Sequence, residues 1–148
     1  GKQRSQGVEV SVVGEILPGW NILGSYAYTD AIISEDDTFT EGNSLRNVPK
    51  HGASLWTTYQ IQSGTLEGLG LGLGLYYVGK RQGDFDNSFS LPSYLRTDAS
   101  LFYKRKNFGA SLNFQNLFDV NYYQGARNDL RVIPGAPFTV VGKVSLEF

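Results

Sequence analysis

The sequence predicts an all-β fold, a segment of an antiparallel transmembrane β-barrel, and three observations carry that prediction. Polarity alternates with a period of two from end to end. The alternating runs are about ten to thirteen residues long, against a usual ~5–6 for strands of soluble proteins. The connections between the runs alternate between short and long. At ~3.3 Å per residue, ten tilted residues cross a ~25 Å apolar band.

The strands follow in order. Residues 7–16 set Val8, Val10, Val12 and Ile16 against Glu9, Ser11 and Glu15. Residues 20–32 set Trp20, Ile22, Tyr26 and Tyr28 against Asn21, Ser25 and Thr29. Residues 51–61 set Ala53, Leu55, Tyr59 and Ile61 against Ser54, Thr58 and Gln60, with Trp56 on the polar side and Thr57 on the apolar side. Residues 69–79 set Leu69, Leu71, Leu73, Leu75 and Tyr77 against Gly70, Gly72 and Gly74. Residues 94–104 set Leu95, Ala99, Leu101 and Tyr103 against Arg96, Asp98 and Ser100, with Thr97 on the apolar side. Residues 107–118 set Phe108, Ala110, Leu112 and Phe114 against Ser111, Asn113 and Gln115. Residues 138–148 set Phe138, Val140, Gly142, Val144, Leu146 and Phe148 against Thr139, Val141, Lys143, Ser145 and Glu147. A helix would scatter that last apolar set around its cylinder.

Short turns fall at 17–19, 62–68 and 104–107, and long polar stretches at 34–50, 81–93 and 121–137. Outer-membrane barrels pair brief periplasmic turns with long external loops. Aromatics gather near the strand ends: Trp20 by a short turn, and Tyr26, Tyr28, Tyr77 and Tyr94 by long loops, as interfacial girdles require. An odd number of strands does not close a smooth antiparallel sheet, and on the sparsely filled polar face Gly70, Gly72, Gly74 and Gly109 leave space or allow close approach. A small barrel needs a packed interior, so a segment of a larger barrel is expected.

Composition bounds the chemistry. Thirteen Lys+Arg against 14 Asp+Glu give a formal charge of -1, which disfavours a nucleic-acid partner. The absence of cysteine excludes disulfides, thiolate metal sites and cysteine nucleophiles, and a single histidine excludes a multi-histidine metal site within this chain. No run approaches the length of an apolar transmembrane helix, which says nothing about spanning strands. The opening Gly1-Lys2-Gln3-Arg4 carries no secretory leader, so a mature form or an excised fragment is expected.

Several stretches recur in a known order. They are Gln6-Gly7-Val8-Glu9; Pro18-Gly19-Trp20 leading to Ser25-Tyr26-Ala27-Tyr28-Thr29-Asp30; and Asn47-Val48-Pro49-Lys50-His51 leading to Ser54-Leu55-Trp56. They continue with Tyr77-Val78-Gly79-Lys80-Arg81-Gln82-Gly83-Asp84, Leu91-Pro92-Ser93-Tyr94, Asn116-Leu117-Phe118-Asp119, Tyr122-Tyr123 and Pro134-Gly135-Ala136-Pro137. Together they resemble the C-terminal part of TonB-dependent outer-membrane receptors, in the ferric-siderophore subgroup. Phe138 departs from the family pattern, which usually has Arg there.

The resemblance implies a barrel of about 22 strands filled by an N-terminal plug. It implies capture of ferric siderophores outside the cell and import energised through the TonB complex. Residues 1–148 would then be the last seven strands, with the plug absent and the location the outer membrane of a Gram-negative bacterium. No cofactor would be bound directly, and the ferric siderophore would be the transported ligand. Partners would be outer-membrane lipid, TonB through the missing plug region, and the barrel-assembly machinery.

Candidate residues follow from these readings. Phe148, with Leu146 and Val144 at alternate positions before it, reads as the signal for barrel assembly, since an aromatic-ended edge strand pairs with another sheet edge. Tyr122, Tyr123, Arg127 and Arg131 in the last long loop are the best ligand candidates, because Arg and Tyr suit anionic or oxygen-rich chelates. The lumenal residues Arg96, Asp98, Asn113, Gln115 and Lys143 are the candidates to meet a plug. The 68–74 glycine run lacks the Lys-Ser/Thr of a phosphate loop and reads as a glycine-lined lumen. Asp84-Phe85-Asp86-Asn87 lacks the glycine and glutamate of a calcium loop and reads as a solvated loop. His51 reads as a hydrogen-bonded rim residue, and no catalytic set or metal site is expected. A glycine-lined, wet lumen also predicts that Gly72→Ser is milder than the costly Leu73→Arg. The alternative readings are an independent small outer-membrane β-protein and a soluble β-sandwich binding module.

Overall fold

The computed structural model describes residues 1–147, and among them every regular element is a strand. Seven strands form one antiparallel sheet: β1 (Lys2–Leu17), β2 (Trp20–Glu35), β3 (His51–Gln60), β4 (Leu69–Val78), β7 (Tyr94–Arg105), β8 (Phe108–Gln115) and β11 (Thr139–Leu146). Each pairs with the next in chain order, so β1 and β11 are free edges and the barrel is not closed. Two small ribbons sit in the long loops. They are β5 (Arg81–Gln82) with β6 (Ser90–Leu91), and β9 (Tyr123–Asn128) with β10 (Arg131–Pro134).

The register turns the sequence alternation into two faces. Ile22, Thr57, Leu73, Ala99, Phe114 and Val140 form one row across six strands. The next row, Asn21, Thr58, Gly72, Ser100, Asn113 and Val141, projects to the opposite side. Burial is inverted relative to a water-soluble sheet. Val8, Leu71 and Val144 are about two-thirds exposed, whereas Ser100 and Asp98 are buried. The buried apolar side chains are Ala31, Ile33, Leu91, Tyr122 and Ala126, all at or above the long-loop end. No second sheet covers the leucine face among the described residues. In water that face would be a very large apolar patch; facing lipid, it is satisfied.

Two aromatic belts bracket the leucine face. At the short-turn end Trp20 pairs with Tyr59, and Tyr103 lies 6.2 Å from Phe108, centroid to centroid. At the long-loop end Tyr26, Tyr28 and Tyr77 share the face with His51, whose Nδ1 is 2.8 Å from the Tyr26 hydroxyl. Eight steps separate Leu69 from Tyr77, about 26 Å along the strand at ~3.3 Å each. Tyr94 is not part of the belt. The register places it beside Val78 on the polar side, where it stacks on Tyr122 at 4.4 Å.

The glycine run is not left open. A Cβ at Gly72 would lie 2.3 Å from Ser100 Oγ and 2.8 Å from the Trp56 ring, and one at Gly74 would lie 2.6 Å from that ring. A Cβ at Gly70 would lie 2.3 Å from Phe102. The apparent exception, Trp56 on the polar face, is the reason for the glycines: large rings from neighbouring strands lie across them. A serine at Gly72 remains the milder change beside Leu73→Arg, but an open wet face is not the reason, because the space is taken. Thr57 also has its reason, since its hydroxyl accepts from Trp20 Nε1 (2.8 Å) and donates to the Asn21 carbonyl (3.0 Å).

Strand limits differ from the expected ones at the long-loop end. β1 and β2 run to Lys2 and Glu35, beyond the alternating stretch: their backbones stay paired there, Lys2 Nζ meets the Glu35 carboxylate at 2.5 Å, and Ala31 and Ile33 are buried. β8 stops at Gln115, three residues early, where Asn116 takes φ +51° and ends the strand. Phe148, the expected terminus of the assembly signal, lies outside the described residues.

Candidate ligand loops and polar face

Three long connections rise from one end of the sheet: residues 36–50, 79–93 and 116–138. Sequence physics alone makes them loops, rich in Gly, Pro, Asn and Asp. The structure makes them a single body, and asparagines do most of the joining. Asn47 sits at φ +63°, which its short polar side chain tolerates. Its side chain accepts from Ala126 N (2.8 Å) and donates to the Ala126 carbonyl (2.7 Å), closing a clasp between the first and third loops. Its backbone N–H donates to Gln82 O in the second loop (2.8 Å). Asn87, at φ +55°, makes the same clasp with Ser44: it accepts at 2.9 Å and donates at 2.8 Å.

Arg46 completes this junction. Its guanidinium donates to the Arg127 carbonyl (3.0 Å) and lies over the Phe85 ring at 4.7 Å, while Phe85 packs on Phe39 at 5.2 Å. Arg81 is almost wholly buried. It donates to the Tyr123 carbonyl (2.5 Å), tying the second loop to the third. Burial pushes its guanidinium below the usual range, and the neighbouring Tyr94 hydroxyl opposes that shift. Asp36 opens the first loop, and the Thr38 and Phe39 amides that bond its carboxylate hold it below the usual carboxylate range.

Asn116 is the base of the third loop. Its amide donates to Val120 O and Ala136 O, both at 3.0 Å, and accepts from Val120 N (2.9 Å). Its backbone N–H donates to Asp98 Oδ1 (2.9 Å). Asp98 also accepts from two Arg96 nitrogens, Nε at 3.0 Å and Nη2 at 2.9 Å, and Arg96 lies 4.7 Å over the Tyr76 ring. A charge on the polar face thereby fixes a loop above it.

The four ligand candidates separate into two kinds. The Tyr122 ring is buried between Tyr94 and Gly135, where a Cβ on Gly135 would collide with it. Tyr123, Arg127 and Arg131 are exposed on the β9–β10 ribbon. Neither Arg127 nor Arg131 has a carboxylate within ion-pair distance among the described residues. The five plug-facing candidates share the polar face. Arg96 and Asp98 pair with each other, and Asn113 Nδ2 donates to Ser111 (3.2 Å). Gln115 and Lys143 stand exposed. Val144 and Leu146 are exposed on the leucine face of the free strand β11. The Asp84 carboxylate is taken up by Ser88, through its backbone N–H at 2.9 Å and its hydroxyl.

The sequence reading missed the loop anchors Asn47, Asn87, Asn116 and Arg81. The signal for the first three was present: asparagine in a turn-rich stretch is the side chain that both accepts φ > 0 and bonds backbone.

A sheet that is apolar and exposed on one side, polar on the other, banded by aromatics and topped by joined loops is the wall of an outer-membrane transport barrel. The family model described as TonB dependent receptor-like, beta-barrel matches residues 1–117, and the chain belongs to that family. Proteins of this family sit in the Gram-negative outer membrane and work with TonB; they are transport receptors rather than enzymes. The chain is 36% identical over 150 residues to the metal-pseudopaline receptor CntO of Pseudomonas aeruginosa, all of this chain and 21% of that receptor. It is 38% identical over 153 residues to the ferrichrome outer membrane transporter/phage receptor of Escherichia coli K12, all of this chain and 20% of that protein. The solved siderophore receptor PiuA of Acinetobacter baumannii superposes with a TM-score of 0.82 at 32% identity, covering 97% of this chain and 22% of that one. The chain thus spans about a fifth of the length of the relatives it matches.

Proposed function

We propose that this chain is the C-terminal part of the barrel of a receptor that takes up ferric siderophores across the outer membrane, energised by TonB through a plug region lying outside this chain. The observation that carries the reading is the pairing of a lipid-facing leucine surface with a fused external loop cluster bearing unpaired arginines. In this reading the barrel wall is not an enzyme and holds no cofactor of its own. The ferric chelate is its cargo, met from above by Tyr123, Arg127 and Arg131, with Tyr122 holding the loop that carries them. Arg96, Asp98, Asn113, Gln115 and Lys143 line the lumen toward the plug. Val144, Leu146 and the terminal Phe148 serve as the strand read by the barrel-assembly machinery, since β11 presents a free edge to pair.

The test is uptake of radiolabelled ferric hydroxamates and ferric catecholates by cells whose only siderophore receptor contains this chain. At least one chelate class is expected to enter, and only when TonB is present. Arg127→Ala with Arg131→Ala is expected to raise the half-saturating concentration by about tenfold, as loss of charge-assisted contacts would. Uptake of neither class, or uptake indifferent to TonB, would overturn the proposal.

A further inference from the structure

The polar face is not polar throughout. In register across the first three strands, Val13 lies beside Leu23 and Leu23 beside Trp56. The same row continues through Gly74 to Asp98, so it belongs to the lumenal side and not to the leucine face. The adjacent lumenal row begins Glu15, Asn21 and Thr58. These six side chains, all on one side of the sheet, line a hollow of about 250 Å³.

The apolar members lie open. Val13 is 79% exposed and Leu23 is 53% exposed. Val13 stands on an edge strand, but Leu23 has β1 on one side and β3 on the other, so a missing neighbour strand does not account for its exposure. The Trp56 ring lies against Gly72 and Gly74 and borders the patch on one side only. Apolar surface gains by leaving water, so such a row on an otherwise polar lumen favours a covering surface.

Place and charge select what covers it. Lipid meets the opposite face of the sheet. Leu23 stands three steps, about 10 Å, from Trp20 at the short-turn end and twelve steps, about 40 Å, from Glu35 at the loop end. It is therefore far below the arginines of the loop cluster. The rim of the hollow carries one ionisable group, the Glu15 carboxylate, which accepts from Gly19 N–H at 2.8 Å. A rim with a carboxylate and no cation does not suit an anionic chelate. It suits the neutral side chains of a protein segment inside the lumen. About four-fifths of the length of the matched relatives lies outside this chain.

We propose that Val13, Leu23 and Trp56 form an apolar seat that receives aliphatic side chains of the plug region. The seat rests on the reading of this chain as the wall of a plugged receptor. It adds a hydrophobic anchor to a lumen whose other plug-facing candidates are polar or charged.

Photo-cross-linking of the intact receptor containing this chain tests it, with benzoylphenylalanine in place of Leu23 and, in a separate form, of the lipid-side Ile22. Mass spectrometry then identifies the joined peptides. Position 23 is expected to join a plug peptide, and position 22 none. If the position-23 form fails to reach the heat-modifiable folded state, Val13 is the site of the probe. In a second measurement, Leu23→Asn is expected to speed amide exchange in plug segments by roughly fivefold or more while β3 and β4 keep wild-type exchange. Cross-links from the lumenal position to other barrel strands alone, plug cross-links from position 22, or wild-type plug exchange in Leu23→Asn would overturn the seat. Those results beside TonB-dependent uptake by the unsubstituted receptor remove the seat alone; absence of such uptake removes the receptor reading itself.

Discussion

At Asn47 one side chain meets two requirements at once: a left-handed backbone and a pair of hydrogen bonds to Ala126. The two are separable by substitution. Asn47→Gly keeps the backbone and loses the clasp, and is expected to cost about 1–3 kcal/mol from two hydrogen bonds. Asn47→Ala adds about 1 kcal/mol or more for the left-handed φ. Limited proteolysis of the 116–138 loop in the intact receptor reads both, and equal nicking of wild type and Asn47→Gly would refute the clasp. Gly72 makes a second residue-scale case. A Cβ added there has no room beside Trp56 and Ser100, so Gly72→Ser is expected to destabilise by about 1–3 kcal/mol. Combining it with Trp56→Ala is expected to recover part of the loss, a coupling of about 0.5–3 kcal/mol for contacting residues. Denaturant unfolding in lipid vesicles measures the cycle, and strict additivity would count against the packing described.

Element by element, the strands read in water and the strands read in lipid differ in which side is exposed. β4 shows the contrast most sharply. Leu71 and Leu73 stand out from the sheet while Gly70, Gly72 and Gly74 lie beneath rings from β3 and β7. Leu73→Arg is therefore expected to cost about 2–4 kcal/mol, the figure for a basic residue near the bilayer midplane. The same vesicle unfolding checks it, and a loss below 1 kcal/mol would move Leu73 out of the lipid core. The loops behave as one element by contrast with the strands. Asn47, Asn87, Arg46 and Arg81 join three separate connections, so the exposed Arg127 and Arg131 ride on a shared support instead of a free loop.

At the scale of the whole molecule, the sheet has two unpaired edges, β1 and β11. Unpaired edges expose backbone donors and acceptors, which a membrane interior does not satisfy. In the isolated chain in detergent, amides of β1 and β11 are expected to exchange hydrogen much faster than those of β3, β4 and β7, whose backbones are paired on both sides. Uniform protection across all seven strands would mean that the edges find partners, through a second copy or a closed form.

The fold class, the seven spanning strands and the two solvents they meet were legible in the sequence, because a period of two and a band of aromatics are written residue by residue. The exposed Leu face, the Tyr26–Tyr28–His51 rim and the resemblance motifs were legible for the same reason. Tyr94 was misread as part of the belt because position along a strand was visible and its side was not. Whether the glycines left space or allowed close approach could not be read along one strand, since the rings that approach them, Trp56 and Phe102, come from other strands. Alternation alone determined which surface meets lipid, because that depends on each residue's own polarity. Only tertiary structure decided what fills the glycine face and what fuses the loops, because both depend on side chains far apart in sequence meeting across the sheet.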